Sequence, residues 1–127
     1  MVNHNIEVVE DLFPFIRPEG NYKRSLFVLK SLKELDKRVL TKSGFMVGIG
    51  ENRNQIMKTM TDLRSAGVDF LTIGQYLQPT KKHASIEKYY TPKEFKELKK
   101  ISFDLGFKHI ESGPLVRSSY HAADVFC

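Results

Sequence analysis

The sequence predicts an α/β fold built on a parallel sheet, an open part of a (β/α) barrel with about four parallel strands and three main helices. Three observations predict it. Short apolar runs alternate with amphipathic stretches along all 127 residues. The run 68–74, Val-Asp-Phe-Leu-Thr-Ile-Gly, is apolar at nearly every position, as in parallel strands covered on both faces. The helical stretches carry their own start and stop signals, so they separate cleanly from the strands. A closed eight-stranded barrel takes roughly 250 residues, so this chain holds only part of one. An open sheet edge then needs something to cover it.

Each element follows from local chemistry. Residues 2–9 read as an extended strand end followed by a turn. Residues 12–20 hold Pro14, Pro18 and Gly20 and read as loop or a short helical turn. Residues 24–36 are helical, with Leu26, Leu29, Leu32 and Leu35 at spacings of three. Residues 39–49 form a strand that ends in glycines. Residues 52–66 are helical: Asn52 caps, Gln55 stands at the capping-box position, and Ile56, Met60 and Leu63 share one face. Gly67 suits the left-handed stop that follows. Residues 75–90 form a polar loop longer than such connections need, a length often tied to function. Thr91-Pro92-Lys93-Glu94 is a helix start, with Phe95, Leu98, Ile101 and Leu105 as the buried stripe and Gly106 as the stop. Residues 107–111 form a last short strand.

Composition narrows the function. The chain is 41% hydrophobic and 28% charged, with no repeat and no low-complexity tract, and reads as one domain over residues 1–127. No uninterrupted apolar run approaches the ~20 residues of a membrane span. The polar start, Met-Val-Asn-His-Asn-Ile-Glu, does not read as a secretory signal. The net charge is +5, but lysines alternate with carboxylates, as in Lys93-Glu94-Phe95-Lys96-Glu97, so a nucleic-acid role is not expected. The one cysteine, Cys127, excludes an internal disulfide, fits a reducing compartment and excludes a self-contained four-thiolate iron–sulfur site.

In βα folds, ligand sites gather where the strands exit. Asn3 and Asn5 at the first exit are either turn formers or holders of a ribose or carboxylate. At the second, Thr41-Lys42-Ser43-Gly44-Phe45-Met46-Val47-Gly48-Ile49-Gly50-Glu51, glycines let a ligand approach the backbone, and Lys42 is either an anion partner or an ordinary strand lysine. It has neither a phosphate-loop ending nor dinucleotide-fold spacing. At the third, Gly74-Gln75-Tyr76-Leu77-Gln78-Pro79 is more polar than packing requires, and His83 beyond it reads as a loop histidine. At the fourth, residues 113–122 form a tail motif containing Arg117-Ser118-Ser119-Tyr120. No histidine–aspartate set accompanies its serines as a hydrolase triad would demand, so no catalytic residue is assigned.

Taken together these runs resemble lipoyl synthase, of the radical S-adenosylmethionine (SAM) class. The resemblance is carried, in order, by Asn3-His4-Asn5-Ile6-Glu7, Arg17-Pro18, residues 41–51, residues 72–79, His83, residues 91–95 and residues 112–122. It covers nearly the whole chain. The Gly-Gln-Tyr-Leu-Gln-Pro and Arg-Ser-Ser-Tyr runs are its most specific parts.

The resemblance implies a fold, the C-terminal portion of a radical-SAM barrel, and a reaction. Two sulfurs are inserted at C6 and C8 of a protein-bound octanoyl group to make the lipoyl cofactor. Two 4Fe–4S clusters serve the full-length family: one cleaves SAM, and the auxiliary one donates sulfur. A serine of the Arg-Ser-Ser-Tyr run ligates the auxiliary cluster, here Ser119, with Ser118 the alternative. Gly44, Gly48, Gly50 and Glu51, with Asn3 and Asn5, fall where the family meets SAM, and Lys42 beside them is a candidate cofactor contact by its charge. The implied partners are octanoylated lipoyl-domain proteins (2-oxoacid dehydrogenase E2 and glycine cleavage H protein), and the implied location is the cytoplasm, or the mitochondrial matrix in a eukaryote. The family's two three-cysteine motifs, Cys-x3-Cys-x2-Cys and Cys-x4-Cys-x5-Cys, are not in this sequence. The isolated chain is therefore expected to bind no complete cluster and to be inactive, with a missing N-terminal half as a further partner. The alternative is a non-catalytic remnant that binds a lipoyl-domain protein or SAM.

Overall fold

The computed structural model describes residues 1–116. Four strands, β1 (Val2–Asn3), β2 (Thr41–Val47), β3 (Phe70–Gln75) and β4 (His109–Gly113), form one sheet in the order β1-β2-β3-β4. Every pairing is parallel. Between the strands run the short α1 (Phe13–Ile16) and the longer α2 (Tyr22–Leu35), α3 (Arg53–Ser65) and α4 (Pro92–Leu105). This is the partial (β/α) architecture that the alternating pattern predicts.

The helix starts follow from capping. The side chains of Asn52 and Thr91 each accept from the third backbone N–H, and Gln55 and Glu94 reach back to complete the capping boxes. Helix α2 starts earlier than its leucine spacing suggests, because Asn21 accepts from the Arg24 N–H at 2.9 Å. Gly106 ends α4 at φ 105, a left-handed conformation that costs glycine little.

Alternation sorts the sheet into two faces. Ser43, Phe45, Val47, Leu71, Ile73 and Ile110 are buried on the outer face, the one the helices cover. Ser112 marks the same face, donating 2.8 Å to the Phe95 carbonyl of α4. Ile56, Met60 and Leu63 of α3, Leu29 of α2 and Phe95 and Leu98 of α4 close the core. The register places Lys42, Gly44 and Met46 beside Phe70, Thr72 and Gly74, and these beside His109, Glu111 and Gly113, on the inner face. In a closed (β/α) barrel that face would line the interior.

Two expectations need correction. Only Leu29 of the α2 leucines is fully buried, and Leu35 is 84% exposed, so the spacing-of-three stripe is not the core face. The α4 stripe likewise runs Phe95, Leu98 and Ser102, with Ile101 and Leu105 half-buried. A spacing of three drifts around a helix of 3.6 residues per turn, so only part of such a row meets the sheet.

Candidate functional site

The strand exits carry two clusters. The first surrounds the chain just after β1. Glu7 has φ 76, the one positive φ of a non-glycine residue among the described residues. Such a residue is strained, and it persists only where its surroundings fix it. Here β2 does so: the Glu7 N–H donates to the Gly44 carbonyl at 3.0 Å, and the Met46 N–H to the Glu7 carbonyl at 2.8 Å. Burial pushes the Glu7 carboxyl pKa up, against an opposing hydrogen bond from Asn5 and the nearby charge of Arg17. Burial, and then the Arg17 charge, lower the pKa of His4 and hold its ring neutral. Its Nε2 is buried with no hydrogen-bond partner among the described residues, and so is the Thr72 hydroxyl on the inner face. Orphaned polar atoms are costly, and a polar ligand would satisfy them.

The second cluster joins the exits of β2 and β3. Gly48 and Gly50 have φ 107 and 122. The Glu51 carboxylate accepts from the Gly48 and Ile49 N–H groups at 3.0 Å and from the Tyr90 hydroxyl at 2.8 Å. Gln75 clamps the loop from the other side: its amide donates to the Lys88 carbonyl at 2.9 Å and accepts from the Tyr90 N–H at 2.9 Å. A β-carbon on Gly48 would strike the Gln75 amide and the Lys88 carbonyl. The glycine exit is thus a tightly fitted turn, locked by residues from the long 75–90 loop. His83 is exposed and bonds Thr80 at 2.8 Å, as a loop histidine does.

The sequence-predicted residues divide by height along the sheet. Asn5 sits in the first cluster, and Gly48, Gly50 and Glu51 in the second. Gly44 lies on the inner face beside Thr72, between them. Asn3 and Lys42 pair with each other at the start of β2, deeper on the inner face and some six residues, or about 20 Å, below the Gly48 turn. Ser118 and Ser119 lie outside the described residues. The last described residue, Val116, has its carbonyl against the Gly74 α-carbon, where a side chain would collide with it. The described part of the chain thus ends beside β3, near its exit. Sequence reasoning gave no site role to His4, Glu7, Arg17 or Tyr90, and weighed Gln75 only as part of the polar third exit. Only the unusual length and polarity of the 75–90 loop signalled Tyr90.

Among the described residues, no group of three or more His, Cys, Asp or Glu side chains could hold a metal ion. The described residues thus fit a polar ligand at the strand exits but not a cluster of their own. No helix among them is long and apolar enough to cross a membrane.

No family model matches the chain. Curated relatives do. The lipoyl synthase of Rubrobacter xylanophilus is 62% identical over 120 residues, which is 94% of this chain and 37% of that protein. Those of Caldanaerobacter subterraneus and a Geobacillus strain are 52% and 57% identical over 122 residues, 96% of this chain and 43% and 41% of theirs. The chain belongs to the lipoyl synthase family. It spans about two fifths of the length of these relatives and corresponds to their C-terminal half.

Proposed function

We propose that this chain forms the C-terminal half of a lipoyl synthase, which inserts sulfur at C6 and C8 of an octanoyl group on a lipoyl-domain protein, 2-oxoacid dehydrogenase E2 or glycine cleavage H protein. The observation that carries this reading is the 52–62% identity over nearly the whole chain. The geometry supports it, because the most constrained backbone lies at the strand exits, where βα enzymes bind their ligands.

In this reading the chain's part is to bind and position. SAM, when bound, supplies the hydrogen-abstracting chemistry. Gly44 and Gly50 let it approach the backbone and Asn5 offers a polar contact, whereas Gly48 acts through the turn that Gln75 and Lys88 fill, and Asn3 and Lys42, about 20 Å below that turn, lie outside this contact. Glu51 acts on SAM through the loop it holds, since its carboxylate is already taken by Gly48, Ile49 and Tyr90. The tail brings Ser119, or alternatively Ser118, to the auxiliary 4Fe–4S cluster. The cysteines for both clusters belong to the N-terminal half, so the chain alone is inactive. The reading places the reaction in the cytoplasm of a bacterium, as the relatives are bacterial.

The test is a chimera in which this chain replaces the matching segment of the Rubrobacter xylanophilus lipoyl synthase. Ser119→Ala in the chimera is expected to remove sulfur insertion and to alter the auxiliary cluster's Mössbauer signature, while SAM binding persists. Full activity of both Ser119→Ala and Ser118→Ala would reject the ligand assignment.

A further inference from the structure

In the proposed reaction the acyl chain rides on a protein, so a whole folded domain must come against the end of the sheet where ligands gather. On this chain the 75–90 loop and the start of α4 line that end. The Glu87 and Lys88 N–H groups both donate to the Gly48 carbonyl, at 2.8 and 3.3 Å, and tie the loop across the β2 exit. The Tyr76 hydroxyl donates to the Ala84 carbonyl at 2.7 Å, and the Gln78 amide to the His83 carbonyl at 2.9 Å. The His83 N–H donates to the Thr80 carbonyl at 3.1 Å and closes a turn with Lys81 and Lys82 at its centre. The loop is thus braced from inside, while Lys81, Lys82 and Tyr89 point no polar atom at any described residue and stay exposed, Tyr89 at 67%. An exposed tyrosine on a fixed backbone is a common anchor of protein interfaces.

Folding also separates charges that alternate in the sequence. Of the carboxylates in residues 75–97, Glu94 is held by Lys88 at 2.6 Å and by the Thr91 N–H at 3.0 Å, and Glu97 by Arg53 at 3.2 Å. The third, Glu87, stands against Gly50. Lys81, Lys82, Lys93 and Lys96 have no carboxylate partner among the described residues, and all four are exposed. The apparent balance of Lys93-Glu94-Phe95-Lys96-Glu97 therefore becomes an outward surface that is mostly positive.

We propose that this exit rim, Lys81 and Lys82 at the loop tip with Tyr89 and with Lys93 and Lys96 at the start of α4, is the docking surface for the protein that carries the octanoyl group, and that it receives an acidic face of that protein beside the octanoyl-lysine. Position and charge together select the occupant. The exits are where the acyl chain must enter, and lysines without internal partners favour and steer a surface of carboxylates. The inference rests on the family reading and adds to it the surface by which the substrate protein is held. Its readout is association, so it fails separately from sulfur insertion.

The experiment titrates the cluster-loaded chimera with an octanoylated glycine cleavage H protein and, separately, with a short duplex DNA. Lys81→Glu with Lys82→Glu is expected to raise the Kd for the H protein roughly tenfold and to flatten its dependence on salt. Lys93→Glu is expected to give a smaller rise. Sulfur insertion into a short uncharged octanoyl-lysine peptide is expected to stay within about twofold of the parent, because the peptide does not reach the rim. Lys99→Glu with Lys100→Glu, about 10 Å further along α4, is expected to leave both readouts unchanged. Circular dichroism checks that each variant is folded. The proposal is overturned if the parent chimera does not bind the H protein, if the loop-tip variant binds it as the parent does, if the Lys99 and Lys100 variant weakens binding equally, or if the DNA binds more tightly than the H protein.

Discussion

The two ends of the sheet treat a carboxylate drawn out of water in opposite ways. At the N-terminal end, Asp69 just before β3 is 3% exposed and fully engaged: it accepts from the Thr41 N–H at 3.0 Å and pairs with Lys33 at 2.5 Å. Burial alone would raise its pKa, but the Lys33 and Thr41 hydrogen bonds and the charges of Lys33 and Lys108 outweigh it and leave the pKa lowered. At the exit end, Glu7 is half-buried on a strained backbone and its pKa is raised. One end is built to hold the sheet, and the other keeps polar groups that its own chain does not fully satisfy. That division matches the general rule for βα folds, in which the N-terminal face carries stability and the C-terminal face carries chemistry.

The contrast can be broken at several points. Asp69→Asn is expected to have the largest effect, a loss of about 3 kcal/mol in urea denaturation, because it leaves a mostly buried Lys33 without its partner. A loss below about 0.5 kcal/mol would remove the Asp69 end of the comparison. In the parent chain the sign is fixed by the lowered pKa. The Asp69 contribution is complete above its ordinary value of 3.8 and is lost as pH falls through its lower folded value. Gly48→Ala comes next, at about 2 kcal/mol, since φ 107 and the Lys88 carbonyl both oppose a β-carbon. Tyr90→Phe is expected to cost about 1 kcal/mol and to speed hydrogen exchange at Gly48 and Ile49, whose N–H groups share the Glu51 carboxylate with Tyr90. Glu7→Gln sharpens the other side. With a raised folded pKa, the parent loses stability as pH rises through that value, so Glu7→Gln is expected to match or exceed the parent at neutral pH in the same denaturation. A clear destabilisation at neutral pH would mean that the Glu7 charge is held favourably after all.

Much of this was legible in the sequence because it rests on local chemistry. The capping boxes at Asn52 and Thr91 and the stops at Gly67 and Gly106 depend on residues within one turn of each other, and all are in place. The apolar run around β3 announced its burial without any partner being known. The leucines of α2 misled, because a row spaced by three drifts around the helix, so that Leu29 meets the sheet while Leu35 faces out. Glu7 was invisible as a strained residue, since glutamate has no preference for positive φ and only the two bonds from β2 impose it. The Glu51–Tyr90 bond joins residues 39 apart in the chain, a distance over which pattern carries no signal. Lys42 read as an exit residue because it opens a glycine-rich run, yet the ladder starts there and carries it to the far end of β2. The family resemblance rested on several short runs read in order, which is why it survived these local errors.

The most direct measurement is sulfur insertion by the chimera carrying this chain in the Rubrobacter xylanophilus lipoyl synthase, read by mass spectrometry of an octanoylated lipoyl domain. Doubly sulfurated product at a rate within about tenfold of the parent, a barrier difference under ~1.4 kcal/mol, is the expected result. A folded chimera with both clusters loaded and no sulfur inserted would contradict the account.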